Sequence, residues 1–130
     1  MKYLALLVFA LSPTIGIACS CVPSNDEDAY ADAQVVFLAM VTETKLIEGS
    51  PFDLVHAKFE VIEKYKGEEV RVETIESTAT TTCSTALLAG HKYLIYSDNN
   101  STEHVNACTR SRWVNFVREE NLLERYRNAQ

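Results

Sequence analysis

Glycine and proline are scarce in this chain, four and three among 130 residues, so no flexible or proline-stiffened linker divides it. Internal repeats and low-complexity stretches are absent too. Basic residues are outnumbered, 12 against 18 acids, for a formal net charge of −6. A domain of that sign is poorly suited to neutralising phosphates, which argues against nucleic acid and anionic membrane surfaces as partners. The chain also lacks G-x-S-x-G, H-E-x-x-H and any glycine loop that would cradle a phosphate. Its three histidines, His56, His91 and His104, lie on or beside expected strands and read as surface residues. Asp26, Glu27 and Asp28 read as a solvated helix start favoured by the helix dipole, not as a catalytic pair. The sequence therefore indicates no enzyme and no cofactor.

Long apolar runs are equally sparse, and the clearest one opens the chain. Met1-Lys2 supplies a short positive region, Tyr3 to Leu11 is unbroken apolar sequence, and Ser12-Pro13-Thr14 ends it before Gly16-Ile17-Ala18. Charge, apolar core and small residues at −3 and −1 are the order of a secretory signal. The run is too short to remain across a bilayer, so no transmembrane segment is expected. The reading is a signal peptide over 1–18, cleavage at Ala18–Cys19, and one exported domain over 19–130, secreted, periplasmic or extracellular. Lys2 leaves with the signal, so the charge of the mature chain falls from −6 to −7.

Cleavage there makes Cys19 the first residue, with a free α-amine, a carbonyl and a cysteine side chain at one chain end. An amine and a carbonyl on one residue can chelate a metal in a five-membered ring. All four cysteines, Cys19, Cys21, Cys83 and Cys108, lie in the mature part. An even number in an oxidising compartment reads as two disulfides. A Cys19–Cys21 bridge would close too small a ring, so the C-x-C is tied to two distant places, and two pairings stay open. The spacing does not suit a four-cysteine zinc site, which favours C-x₂₋₄-C pairs.

Between the cysteines the pattern is mostly strand. Ser24-Asn25-Asp26-Glu27 signals a helix start and predicts a short helix from Asp26 to Ala33. Residues 34–46 predict a long strand, buried at first and exposed later. Val55, Ala57, Phe59 and Val61 alternate with polar residues and predict a half-buried strand. Lys66-Gly67 turns the chain towards a third strand over 70–75. A fourth strand is predicted from Lys92 to Ser97 and a fifth around His104 to Cys108. Trp113, Phe116, Val117 and Leu123 stand at helical spacing in the tail from Ser111 and predict an amphipathic helix packed on the sheet. The whole predicts an all-β domain with flanking helices, a five-stranded, OB-fold-like Greek-key barrel with a disulfide-stapled N-terminus.

Cys19-Ser20-Cys21-Val22-Pro23, followed about a dozen residues later by Val35-Val36-Phe37-Leu38-Ala39, resembles the N-terminal domain of tissue inhibitors of metalloproteinases. It also resembles the wider netrin-like superfamily and its bacterial TIMP-like members. Val61-Ile62-Glu63-Lys64-Tyr65-Lys66-Gly67 is similar to that family's second strand and "YKG" turn, and Cys83 follows a threonine-rich connector as in the family. Ala31 and Ser84 depart from it, standing where its members carry a cysteine and a glycine. The resemblance implies bridges Cys19–Cys83 and Cys21–Cys108. It further implies a protein-binding domain that inhibits a zinc metalloproteinase. Cys19 would chelate the target's zinc in trans, Ser20 would enter the substrate pocket, and Cys21, Val22 and Pro23 would complete a wedge beside Thr82, Cys83 and Ser84.

Two other readings use the same end of the chain differently. A cysteine directly after the cut can be lipidated in bacteria, giving an envelope lipoprotein with a lipid anchor on Cys19. Lipidation consumes the thiol and the amine and leaves Cys83 odd. A non-inhibitory exported adhesion or scaffold module would use the barrel face, or the connector over 78–82, as its contact.

Overall fold

The computed structural model describes residues 19–130; the expected signal peptide and its cleavage point at Ala18 fall outside the described residues. Asn25 caps helix α1 (Asp26–Asp32) by accepting from the Asp28 backbone N–H at 2.8 Å, and three acids in the first turn complement the helix dipole. The chain then enters β1 (Val35–Ile47), which pairs along its length with β2 (Leu54–Lys66) as an antiparallel hairpin. Only the first half of β1, Val35 to Met40, also pairs with β4 (Lys92–Ser97). That is why β1 is buried from Val35 to Ala39 and exposed from Thr42 to Leu46: one half is a central strand and the other is paired on one side only, with β2.

Irregular register between Val36 and Phe37, Leu38 and Ala39, and Val41 and Glu43 marks bulges in this ladder, which bend and twist a strand. The sheet curls into an OB-like half-barrel ordered β5-β3-β2-β1-β4-β6. Alternation along β1 feeds two cores. Val35, Phe37, Ala39 and Val41 pack with Ile75, Tyr93, Ile95 and Val105. Val36 and Leu38 pack with Tyr65, Leu94, Tyr96 and the helical Leu122, Leu123 and Tyr126. The second cluster fastens α2 (Phe116–Asn128) to the sheet.

Edges depart from the sequence reading. β3 covers Thr74–Thr78, not 70–75. Upstream of it the Arg71 N–H donates to Asn99 Oδ1 at 2.7 Å and the Glu73 N–H to the Ser101 carbonyl at 2.8 Å, so this backbone is satisfied by a loop. β5 is Thr102–His104, parallel to β3. A sixth strand of two residues, β6 (Arg112–Trp113), adds to β4 and delays α2 to Phe116 behind its Asn115 cap. Trp113 and Val117, expected on the packed face, are 54% and 93% exposed, while Leu122, Leu123 and Tyr126 are buried.

Candidate functional site

The N-terminal segment lies across the end of the half-barrel, held by two bridges. Cys19 is bonded to Cys83, with Cα atoms 5.2 Å apart, and Cys21 to Cys108, 5.1 Å apart. Between the anchors Ser20 is exposed, as are Cys21, Val22 and Pro23 beyond it. The segment is a ridge fixed at alternate residues, not a free tail.

Its two receiving loops are built by short polar side chains. In the threonine-rich connector, Ser84 Oγ accepts from the Thr81 backbone N–H at 3.0 Å and lies 3.0 Å from Thr78 Oγ1, while Ser77 Oγ accepts from the Thr85 N–H at 2.9 Å. Hydroxyl-to-backbone bonds of this kind set turns without regular structure. In the other loop Asn106 Oδ1 accepts from the N–H groups of Cys108, at 2.8 Å, and Thr109, at 3.2 Å. An isolated antiparallel bridge pairs Ser84 with Asn106, and the Ala107 N–H donates to the Cys83 carbonyl at 2.9 Å. Thr82 is exposed beside Cys83. The expected wedge residues, Cys19 to Pro23 and Thr82 to Ser84, are thus tied to one end of the fold through the Cys19–Cys83 bridge.

An ionic clamp continues the anchoring just beyond the ridge. Asp26 Oδ1 accepts from Arg110 Nη2 and Arg112 Nη1, each at 2.8 Å, and from Arg110 Nε at 3.1 Å. Arg112 Nε donates to Glu119 Oε1 on α2 at 2.7 Å. Burial works against ionisation of Asp26, but hydrogen bonds from Arg112 and Arg110, with their positive charge, outweigh it and hold the carboxyl below its ordinary value. The clamp joins the start of α1 to the segment after Cys108.

Sequence reading missed one cluster. His56, Glu76 and His104 occupy facing positions on β2, β3 and β5. His56 Nε2 is 2.5 Å from one Glu76 oxygen and His104 Nδ1 is 2.8 Å from the other. Glu76 is buried, and the pair of imidazoles accounts for both of its oxygens. Only the register across three strands could have revealed this. The two rings take opposite oxygens of one carboxylate and do not surround a common point. The convergent set of possible metal donors among the described residues is the sulfurs of Cys19, Cys21 and Cys108, all within 4.8 Å of one another. In disulfide form these are poor donors, because it is the thiolate that ligates. No helix among the described residues is long and apolar enough to cross a membrane.

The fold and this end of it define a class: a curled OB-like domain with a two-bridge N-terminal ridge. The family described as tissue inhibitor of metalloproteinase matches residues 17–129, and the chain belongs to that family. Similar proteins include Metalloproteinase inhibitor 2 of Canis lupus familiaris, 28% identical over a 116-residue alignment, with 81% of this chain and 53% of that protein covered. Metalloproteinase inhibitor 3 of Gallus gallus is 27% identical over 90 residues, 68% of this chain and 42% of that protein. The chain spans about half the length of the curated relatives it matches. The family is one of inhibitors, not of enzymes.

Proposed function

We propose that the mature domain binds a zinc metalloproteinase and inhibits it by docking the Cys19–Pro23 ridge in the catalytic cleft. The observation that carries this reading is the anchoring of Cys19 and Cys21 by separate bridges with an exposed Ser20 between them. After cleavage at Ala18–Cys19 the α-amine and carbonyl of Cys19 sit on one residue and reach the zinc together. A catalytic zinc keeps one position open for water or substrate, and an α-amine of pKa about 8 has a neutral fraction able to coordinate at neutral pH. Two bridges remove most of the ordering entropy that a free tail would lose on docking. Ser20 enters the substrate side-chain pocket, and Val22, Pro23 and Thr82 to Ser84 flank the cleft.

The sulfur that a lipid anchor would occupy is bonded to Cys83, which favours a free secreted or periplasmic domain over an envelope lipoprotein. The test is an inhibition titration of the chain beginning at Cys19 against one retaining Ala18, over a panel of zinc metalloproteinase catalytic domains. Inhibition by the first and a loss of about 100-fold in the second is the expected result. Failure of the Cys19 form on every protease would sink the proposal and leave the scaffold reading; equal inhibition by both would remove the chelating amine from it.

A further inference from the structure

Two disulfides lie against each other at the ridge, and the contact between them is made by one sulfur of each. Cys19 Sγ, bonded to Cys83, is 3.5 Å from Cys108 Sγ, bonded to Cys21. Thiol–disulfide exchange proceeds by attack of a thiolate on a neighbouring disulfide sulfur. That event ordinarily requires the two groups to find each other; here they already touch.

We infer that the four cysteines form an exchange relay in which opening either bridge generates the same third one, Cys19–Cys108. When a thiol or phosphine reductant opens Cys21–Cys108, it takes up the oxidising equivalents of that bridge and leaves both cysteines reduced. The Cys108 thiolate then attacks Cys19 Sγ. The Cys19–Cys108 bond forms, the Cys19–Cys83 bond breaks, and Cys83 leaves with the electron pair as a thiolate. When Cys19–Cys83 opens first, the Cys19 thiolate attacks Cys108 Sγ and Cys21 leaves. Both routes end with one bridge, Cys19–Cys108, and two free thiols, Cys21 and Cys83. Cys21 is the exposed member of the set, while Cys19, Cys83 and Cys108 are half-buried. External reductant therefore reaches the Cys21–Cys108 bridge most directly.

The consequence is a reductive switch in the ridge itself. Exchange keeps Cys19 tethered, now to the Cys108 loop, but releases Cys21 and with it the second fixed point of the segment. The sulfur chemistry stands independently of metalloproteinase binding, so its test does not use inhibition.

Two single variants are secreted into oxidising medium, alkylated at once in acid-quenched denaturant, and mapped by peptide mass spectrometry. Cys21→Ser leaves Cys108 permanently without its partner, and Cys83→Ser does the same for Cys19. In both, a Cys19–Cys108 bridge is expected, with Cys83 alkylated in the first variant and Cys21 in the second. Finding only Cys19–Cys83 in the first and only Cys21–Cys108 in the second would overturn the relay. If a variant is not secreted, the unmodified chain is treated at pH 8 with substoichiometric phosphine and sampled over time. A Cys19–Cys108 signal in any partly reduced sample supports exchange. Its absence at every time point, including direct passage from two bridges to none, contradicts it.

Discussion

Ser84 and Asn106 form an isolated antiparallel bridge that locks together the two loops carrying Cys83 and Cys108. The disulfides therefore attach the N-terminal ridge to loops that are already joined to each other. The side chain of Asn106 shapes the Cys108 loop by accepting from the Cys108 and Thr109 N–H groups.

Asn106→Ala removes the acceptor used by the Cys108 and Thr109 N–H groups. Leaving such donors without a partner costs about 1–2 kcal/mol. Thermal unfolding should shift down by roughly 5–10 °C, with both bridges still present by mass. An unchanged midpoint would show that the loop holds without its asparagine.

Asp26→Asn replaces a carboxylate held by two arginines with a neutral amide. The variant should lose about 1–2 kcal/mol, a figure reduced for partial exposure of the clamp. Because the folded carboxyl titrates below the ordinary 3.8, its contribution is fully present above that pH. It disappears as pH falls through the lowered value. The stability gap between wild type and Asp26→Asn, measured by denaturant titration from pH 7 to pH 2, should narrow as pH falls below 3.8. A gap of constant size across the range would assign the loss to packing, not charge.

Leu123 and Val117 were both read from the sequence onto the packed face of α2, and only Leu123 lies there. Leu123 is 1% exposed and Val117 93% exposed. Leu123→Ala should cost about 2–4 kcal/mol, while Val117→Ala should change stability by less than about 0.5 kcal/mol. Comparable losses in the two variants would return Val117 to the packed face.

The reasons for that misreading are physical. Trp113, Phe116, Val117 and Leu123 do recur at helical spacing, yet Trp113 is spent in β6 against Tyr93, and the helix begins only at Phe116. β1, β2 and β4 were legible because their apolar runs or alternation are local; β1 passes from buried to exposed just past Met40, where its pairing with β4 stops. β3 lies between β2 and the edge strand β5, and where it starts depends on Asn99 and Ser101, which hold the backbone before it from the far side of β4; no local pattern encodes that. That the C-x-C is tied to two distant places was legible because cysteine spacing is a chain property, whereas which cysteine pairs with which came only with the family resemblance. The His56–Glu76–His104 row was not legible, since it exists only once three strands are in register.

Gly67 was legible as a turn, and the structure adds why it is glycine. Its φ is +91°, and a Cβ there would lie 2.6 Å from Val35 Cγ1 and 2.7 Å from the Gln34 carbonyl oxygen. Gly67→Ala should destabilise by about 2 kcal/mol or more, read from urea midpoints. A neutral effect would mean that the turn has an alternative conformation without that contact.

Coordination by the Cys19 amine is the central claim, and a cobalt-substituted metalloproteinase reports it at the metal. Its visible d–d bands should change when the Cys19-initiated domain is added, and stay unchanged with the same domain acetylated at its α-amine. Loss of inhibition by about 100-fold or more should accompany acetylation. Inhibition by the acetylated domain at full strength, or inhibition by the free form with no change at the cobalt, would contradict chelation.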